Sequence, residues 1–294
     1  MELRVLEYYL MVAREENITK AAELLHITQP TLSRQLAQME EELGVRLFTR
    51  GKHSITLTED GMLLKRRAQE IIDLADKTRR DLKHEGQELS GKIFIGSGEM
   101  KSMRVLAECI AKFRSQHPRV TFDIYSGTAD EIKEQLEKGL MDIGLLAEPV
   151  DVTKYMFIRL QEKVRWGVLV RKDSPIAQKE YVTAKDLTDV PLIVPKRSSV
   201  QNELANWFKD EYDRVNVAVT YNLLYNAAVL AESMNGAVLC TEHDKAYEAL
   251  AFIPLKPMLS TGSVLVWKKG QFVSNLVNNF IDYLRNAEKA FYDI

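Results

Sequence analysis

The sequence predicts an α/β protein with an all-α N-terminal domain, and three observations carry that prediction. Residues 3–44 hold apolar side chains at helical spacing in three short runs. From Lys92 onward, short β-branched runs alternate with amphipathic helical patterns, as in a mostly parallel sheet with helices on its faces. The length of 294 residues and the hydrophobic content of 46% suffice for about two packed domains.

The charge balance gives no sign of a nucleic acid partner by itself. The formal net charge is −2, and residues 1–90 hold 14 Lys and Arg against 16 Asp and Glu. Any DNA-binding surface must therefore arrange its positive charge locally. Two cysteines, Cys109 and Cys240, are too few for a disulfide scaffold or a cysteine-based zinc site. Both lie in apolar runs, which favours buried, unreactive thiols over a redox pair.

The N-terminal run does not have the pattern of a signal peptide, because Glu2, Arg4 and Glu7 interrupt its apolar residues. No other run approaches the roughly 18 apolar residues of a membrane span. We expect a soluble, cytoplasmic protein that does not associate with a membrane.

The first two helices are predicted over residues 3–15 and 19–25. The first is indicated by four apolar positions that share one face: Leu3, Leu6, Leu10 and Ala13. Asn17 then offers a cap-type side chain for the second helix. Within that helix, Ala21 and Ala22 are small enough for another backbone to approach closely.

A third helix is predicted between Thr28, a good N-cap, and Gly44, a good C-terminal residue, with Pro30 tolerated in the first turn. Its buried stripe is predicted to consist of Leu32, Leu36, Met39 and Leu43. The opposite side holds Pro30, Ser33, Arg34 and Gln38. Ser, Arg and Gln can hydrogen-bond base edges, so the second and third helices are predicted to form a helix-turn-helix that offers its last helix to a major groove.

A small β-hairpin, or wing, is predicted over residues 47–57, with Gly51 near its tip and Arg50 and Lys52 beside it. Cations at this place are suited to phosphates or to the adjoining minor groove. The wing argues against an ordinary pair of packed helices, which the helix-turn-helix pattern alone leaves open.

A long helix follows, capped by Thr58 with Glu59 and Asp60 in its first turn. A heptad seam is predicted at Leu64, Ala68, Ile71, Ala75, Thr78 and Leu82. The opposite face is charged, with Lys65, Arg66, Asp73, Lys77 and Arg80. We expect a dimer coil here, although such a helix can also lie on its own domain. A dimer would place two recognition helices about 34 Å apart, on half-sites one DNA turn apart.

The remaining residues alternate between strand and helix patterns up to a final amphipathic helix at 273–290. Among them are a helix with a Thr128 and Glu131 capping box, the strand RWGVLVRK and a helix around residues 227–234. We expect two α/β lobes with a ligand cleft at the carboxyl ends of the strands. Short polar groups follow several strands: Ser97, Gly98, Glu99, Ser126, Gly127, Thr128, Pro195, Lys196, Arg197, Ser198, Ser199 and Asn226. Each also suits ordinary turn and cap chemistry. Lys196, Arg197 and the helix starts indicate an anion, whereas Glu99 can equally select an amine.

Two other classes of protein agree less well with the sequence. A solute-binding protein matches the cleft but not the N-terminal ninety residues or the absence of an export signal. An enzyme is disfavoured because Lys101 stands where a dinucleotide fingerprint requires its third glycine. The sequence also has no Walker loop, no HExxH and no Gly-x-Ser-x-Gly motif. We expect no enzymatic activity, cofactor or metal.

The order of these elements resembles the LysR-type transcriptional regulators, and the resemblance runs over the whole chain. It is densest from Leu3 to Arg67. There AAELLHITQPTLSRQLAQMEEELGVRLFTR and then LTEDG match the family's alanines, Ser/Thr-Gln-Pro, Ser-Arg-Gln step, Glu-Leu-Gly, Leu-Phe and Leu-Thr-x-x-Gly. The combination is far more specific than a helix-turn-helix alone.

The resemblance implies which residues contact operator DNA: Gln29, Pro30, Thr31, Ser33, Arg34 and Gln35 from the recognition helix, and Arg50 and Lys52 from the wing. The wing departs slightly from the family pattern, because Lys52-His53-Ser54 stands where further arginine is frequent. The matching effector positions are Ser97, Met100, Thr128, Pro195, Lys196 and Asn226.

The resemblance also implies the domain organisation. Residues 1–58 are the winged helix-turn-helix domain, 59–90 the dimerisation helix, and 91–294 a two-lobed effector domain like a periplasmic binding protein. Lobe I is 92–160 with 265–294, and lobe II is 161–264. The implied partners are a dyad operator in double-stranded DNA, a small-molecule effector, further copies in a homodimer and homotetramer, and RNA polymerase.

Overall fold

The computed structural model describes residues 2–50, 55–82, 89–244, 247–270 and 273–292. The chain forms two compact units, Met1–His84 and Glu85–Ile294. Among the described helices, none combines the length and apolar character needed to cross a membrane.

The N-terminal unit contains the three predicted helices: α1 Leu3–Glu15, α2 Ile18–Leu24 and α3 Gln29–Leu43. The side chain of Asn17 caps α2 by accepting a hydrogen bond from Lys20 N at 3.0 Å. Gly44 ends α3 with a φ of 69°, which glycine adopts without strain. Thr28 holds the N-cap position of α3, but its hydroxyl contacts the Thr31 hydroxyl at 2.8 Å instead of capping the backbone.

One core holds the three helices together, and it agrees with most of the predicted stripes. Its buried members from the helices are Val5, Leu6, Tyr9, Val12, Ala21, Ala22, Leu32, Leu36 and Met39. The predicted stripe of α3 is wrong at its end, since Leu43 is 40% exposed and Glu40 is buried one turn earlier. In α1, Leu3 and Leu10 lie half-buried at the edge of a face centred on Tyr9.

The predicted wing is present as two antiparallel strands, β1 Phe48–Arg50 and β2 Ile55–Leu57, with Phe48 opposite Leu57. Its tip, including Gly51 and Lys52, lies outside the described residues. The amide of Ile55 donates to Glu16 O at 3.0 Å, which ties the wing to the end of α1.

Helix α4 spans Glu59–Leu82. The hydroxyl of Thr58 accepts from Gly61 N at 3.0 Å, as predicted for its cap. Gly61 has no room for a side chain, because a Cβ would collide with Leu47 O. Its carbonyl accepts a hydrogen bond from the buried Tyr9 hydroxyl. The start of α4 is therefore locked onto the N-terminal core.

The predicted heptad seam divides between two faces of α4. Ala68 and Ile72 are buried in the core of the N-terminal unit, with Leu64 packed beside them. Ile71 is 37% exposed, and Leu74 is 43% exposed. Other exposed apolar side chains on this helix are Met62 and Leu63.

The charged face of α4 is confirmed at Lys65, Arg66 and Asp73, which are exposed. Lys77 is buried, which corrects its assignment to the solvated face. The side chains of Arg80 and Leu82, at the end of the helix, lie outside the described part of the chain.

The larger unit is built on one sheet whose order is β4-β3-β5-β11-β6-β9-β7-β8, with β10 paired to β6. Its strands are β3 Gly91–Ser97, β4 Val120–Ser126, β5 Ile143–Ala147, β6 Tyr155–Arg171, β7 Leu192–Pro195, β8 Val217–Tyr221, β9 Ala237–Thr241, β10 Leu250–Pro254 and β11 Ser260–Lys268. Its helices are α5 Met103–Gln116, α6 Ala129–Glu137, α7 Ser198–Phe208, α8 Leu224–Met234 and α9 Asn275–Tyr292.

Each lobe has three parallel strands, β3, β4 and β5 in lobe I and β7, β8 and β9 in lobe II, which adjoin the antiparallel strands β6, β10 and β11, and helices cover both faces. In lobe I, α5 and α9 pack on one face through Phe113 and Phe280, and α6 packs on the other through Ile132. In lobe II, α7 and α8 cover opposite faces through Leu204 and Ala228. The predicted succession of strands and helices is confirmed, including the capping box of Thr128 and Glu131 in α6.

Strand β6 is longer than the sequence pattern indicated, since the predicted strand RWGVLVRK is only its second half. Residues 155–165 pair with β11, and residues 166–171 pair with β9 and β10. One continuous strand therefore runs through both lobes, and the predicted lobe boundary at residue 160 falls inside it.

Buried Glu40 supports the wing, because its Oε1 accepts from Leu47 N at 2.6 Å and from Phe48 N at 3.3 Å. Glu40→Ala removes the acceptor and leaves two amides unpaired, so we expect a loss of about 2–4 kcal/mol in the stability of the N-terminal unit. Hydrogen exchange resolved to peptides of residues 2–50 measures this loss. Glu41→Ala, an exposed neighbour, is the control with an expected change under about 0.5 kcal/mol. Equal protection factors in both variants would contradict the role of Glu40.

Candidate functional site

The outer face of α3 is polar where it begins. Gln29, Pro30 and Arg34 are exposed, and Thr31, Ser33 and Gln35 are half-buried. The amide group of Gln29 donates to Ser33 Oγ at 2.8 Å, so these two side chains form one hydrogen-bonding edge. Within the described part of the chain, the Arg34 guanidinium has no ion pair or hydrogen bond.

The wing lies next to this helix, since Leu36 of α3 and Phe48 of β1 belong to the same core. The six predicted helix positions therefore lie in the first two turns of α3, three of them exposed and three half-buried, with the hairpin beside the helix. The structure places the backbone of Arg50 at the end of β1, and Lys52 lies outside the described residues. A free guanidinium, hydroxyls and carboxamides on the first turns of a helix are suited to hydrogen bonds with base edges and phosphates.

A cavity of about 800 Å³ lies between the two lobes of the larger unit, at the carboxyl ends of its parallel strands. This size is typical of small-molecule sites. Lobe I contributes the segments 98–100, 127–131 and 145–148, and lobe II contributes the segments 195–198, 220–224 and 240–241 together with His243. Trp166, Val200 and Thr261 complete the lining.

Four of the six predicted effector positions line this cavity: Met100, Thr128, Pro195 and Lys196. Ser97 and Asn226 are not among the lining residues. Ser97 is buried beneath the cavity loop, where its hydroxyl donates to Gly98 O at 2.8 Å. Helix α8 begins at Leu224, earlier than predicted, so Asn222 takes the cavity position expected of Asn226.

Sequence reasoning missed several lining residues, notably Trp166, Tyr221 and His243. The Trp166 indole donates to Thr261 Oγ1 at 2.6 Å, and the Tyr221 hydroxyl donates to Leu239 O at 2.8 Å. Both aromatic residues lie within strands, where no local pattern marks them as cavity residues.

Two hydrogen bonds cross the cavity from one lobe to the other. Glu99 of lobe I accepts a hydrogen bond from Leu224 N of lobe II at 2.9 Å, in the first turn of α8. Arg197 of lobe II donates to Ala147 O of lobe I at 3.2 Å and lies 3.7 Å from Asp130. Its Nε is buried without a hydrogen-bond partner.

An ion-pair cluster outside the cavity lining also joins the lobes. The Arg104 guanidinium contacts Asp244 at 2.8 Å, and Lys101 lies 3.7 Å from Glu162 and 4.0 Å from Asp244. His243 lies between this cluster and the cavity. Burial lowers the pKa of His243 below its ordinary value, against the opposite effects of Glu99 and Asp244. His243 is therefore neutral at pH 7 and acts as a hydrogen-bonding group.

Both cysteines are buried, as predicted, and burial raises the pKa of the Cys109 thiol to about 11 and that of Cys240 still further. Neither thiol is poised for redox chemistry. In the described ranges, no three His, Cys, Asp or Glu side chains are grouped to hold a metal ion. The cavity thus offers charge and hydrogen bonding for the recognition of a ligand.

A winged helix-turn-helix unit and a two-lobed ligand-binding unit in one chain define a class, the ligand-responsive DNA-binding regulators. Two family models match the chain. "Bacterial regulatory helix-turn-helix protein, lysR family" matches residues 3–62, and "LysR substrate binding domain" matches residues 86–289. The chain belongs to the LysR family of bacterial transcription regulators, which are DNA-binding proteins and not enzymes.

Curated relatives agree over nearly the full length. The transcriptional regulator BsdA of Bacillus subtilis is 25% identical over 295 residues, covering 96% of this chain and 99% of BsdA. The Hca operon transcriptional activator HcaR of Escherichia coli is 27% identical over 281 residues, covering 92% of this chain and 93% of HcaR.

Solved structures show the same fold. Full-length CbnR in complex with its target DNA is 21% identical with a TM-score of 0.76, covering 98% of this chain and 100% of CbnR. A full-length point mutant of BenM is 24% identical with a TM-score of 0.55, covering 100% of this chain and 96% of BenM.

Proposed function

We propose that this regulator binds a dyad operator and that a small effector, an anion or a carboxylate, controls its operator binding or promoter activation from the cavity between the lobes. The observation that carries the proposal is the cavity itself, which is of small-molecule size and lies between two lobes that share strand β6 and are linked across the cavity by the hydrogen bonds of Glu99 and Arg197. The match to a substrate-binding domain model supports it.

The anionic character of the effector is supported by the groups on the cavity wall. Lys196 is exposed there without an ion pair among the described residues. The first turns of α6 and α7, at Ala129 and Ser198, also line the cavity, and helix N-termini favour negative charge.

For DNA we propose contacts from the α3 face (Gln29, Pro30, Thr31, Ser33, Arg34 and Gln35) and from the wing (Arg50 and Lys52). The unpaired, exposed guanidinium of Arg34 supports base reading, because a free Arg can pair with guanine through two hydrogen bonds. CbnR, a structure of the same fold, is seen bound to its target DNA.

The copies of the chain are proposed to pair through residues 59–90, forming dimers that associate into a homotetramer and contact RNA polymerase at the promoter. Exposed Ile71 and Leu74 on α4 support the dimer, since they form an apolar stripe apart from the face that packs on the N-terminal core.

Effector binding is proposed to act as a population shift: it favours one arrangement of the lobes and changes the spacing of the recognition helices along DNA. Identical footprints with and without saturating ligand would contradict this mechanism.

The proposed operator binding is tested by capturing sheared genomic DNA of the source organism on the purified protein at near-physiological salt. We expect a few sites with an interrupted dyad.

Arg34→Ala is expected to cost about 1–3 kcal/mol of binding free energy on those sites and to relax the specificity for their sequence. Lys52→Ala is expected to weaken binding to every sequence and to lower the salt slope by about one. Equal loss on specific and random DNA from Arg34→Ala would rule out base reading by this residue.

The proposed dimer is tested by Leu74→Lys, which places a charge in the apolar stripe of α4. We expect the variant to dissociate at concentrations where the wild type is oligomeric, as measured by sedimentation velocity. Gln69→Lys is the matched control, because Gln69 is exposed on the opposite side of the same helix. Unchanged assembly of the Leu74→Lys protein would show that the chains pair elsewhere.

A further inference from the structure

The carboxylates that line the cavity differ in what already binds them. They are Glu99, Asp130, Glu131 and Glu148. Glu131 caps α6, accepting from Thr128 N at 2.7 Å and from its hydroxyl at 2.9 Å. The Arg159 guanidinium holds Glu148 at 2.8 and 3.0 Å. Asp130 lies 3.7 Å from the Arg197 guanidinium. Three of the four acids are therefore engaged.

Glu99 shares with Glu131 the absence of a cation partner in the described part of the chain, but its hydrogen bond comes from the opposite lobe, whereas Glu131 accepts from the N-cap of its own helix. Its Oε2 accepts from Leu224 N at 2.9 Å, and its Oε1 has no partner there. The backbone hydrogen bond fixes the carboxylate in place, which lowers the entropic cost of binding a donor with the second oxygen. Neutral His243 nearby supplies no counter-charge.

The cations of the wall show the same division. Arg197 is engaged with Asp130 and Ala147 O. Lys196 has no carboxylate partner among the described residues and is exposed on the wall. Among the described residues, the cavity thus presents two carboxylates without a cation partner, Glu99 and Glu131, and one cation without a carboxylate partner, Lys196.

We infer that the effector is a zwitterion, such as an amino acid, whose ammonium group binds Glu99 and whose carboxylate binds Lys196. This inference rests on the proposed function and narrows its ligand class. A ligand with only a carboxylate pairs with Lys196 but leaves Glu99 without a counter-charge. A ligand with only an amine pairs with Glu99 but leaves Lys196 without a counter-charge.

The test uses the full-length protein and matched sets of compounds. Each common L-amino acid is compared with its deaminated carboxylate and its decarboxylated amine, at about 10 mM in a thermal-shift assay, since a ligand that binds the native state raises Tm. Titration calorimetry then gives Kd for the compounds that respond. We expect at least one amino acid to bind at least about tenfold more tightly than both of its matched compounds.

Glu99→Gln is the decisive variant, because it keeps an oxygen for Leu224 N–H and removes only the charge. We expect it to weaken amino acid binding about tenfold to a hundredfold and not to weaken carboxylate binding. Asp244→Asn is the matched control. It removes the same charge and a contact between the lobes, outside the lining, so it should retain the preference for the amino acid.

The inference is overturned by a carboxylate that binds the wild type as tightly as its amino acid, or by equal amino acid binding by Glu99→Gln and wild type. The first leaves the proposed anion-responsive regulator intact. A carboxylate response in Glu99→Gln shows that its cavity is folded. If no compound of the three classes raises the Tm of the wild type, the inference of a zwitterionic effector is also overturned. The capture of operator DNA then tests the proposed function separately.

Discussion

The pairing of β6 with β11 is the constraint on which the larger unit depends. Strand β6 runs for 17 residues through both lobes, paired to β11 in lobe I and to β9 and β10 in lobe II. At the crossing, the buried Trp166 indole donates to Thr261 at 2.6 Å, beside an irregularity in the β11 register. Because Trp166 and Thr261 both line the cavity, the interaction that joins the strands also forms the floor of the ligand site.

In the N-terminal unit, the arrangement of charge matters more than its sum. The acidic run Glu40-Glu41-Glu42 lies at the end of α3, while the polar face lies at its beginning. One of these acids, Glu40, does not contribute to the surface, because it is buried and accepts a hydrogen bond from the backbone of the wing. A unit with a slight excess of acid can therefore still present an unpaired guanidinium at the recognition helix. Net charge alone does not identify a DNA-binding protein of this kind.

Local patterns predicted the helices and most strands because helix caps and side-chain periodicity act within a few residues. Asn17, Gly44 and the Thr128–Glu131 capping box were all predictable on that basis. The errors arose where distant segments decide the outcome. Leu43 lies past the edge of the core, and the seam of α4 is shared between the core and an exposed face. Trp166 and His243 line the cavity only because the two lobes pack against each other, and no local residue spacing in the sequence predicts that packing.

The contacts between the lobes are weak enough for a small ligand to change their balance. Arg104 is 67% exposed in its ion pair with Asp244, and exposed pairs contribute only about 0–1 kcal/mol. The hydrogen bonds of Glu99 and Arg197 add about 0.5–3 kcal/mol each. Coupling between a ligand and a distant site is typically about 1–3 kcal/mol. Since these energies are similar, the proposed pairing of a ligand with Glu99 and Lys196 would be enough to shift the population of lobe arrangements. A larger apolar interface between the lobes would have fixed a single arrangement and made the unit insensitive to its ligand.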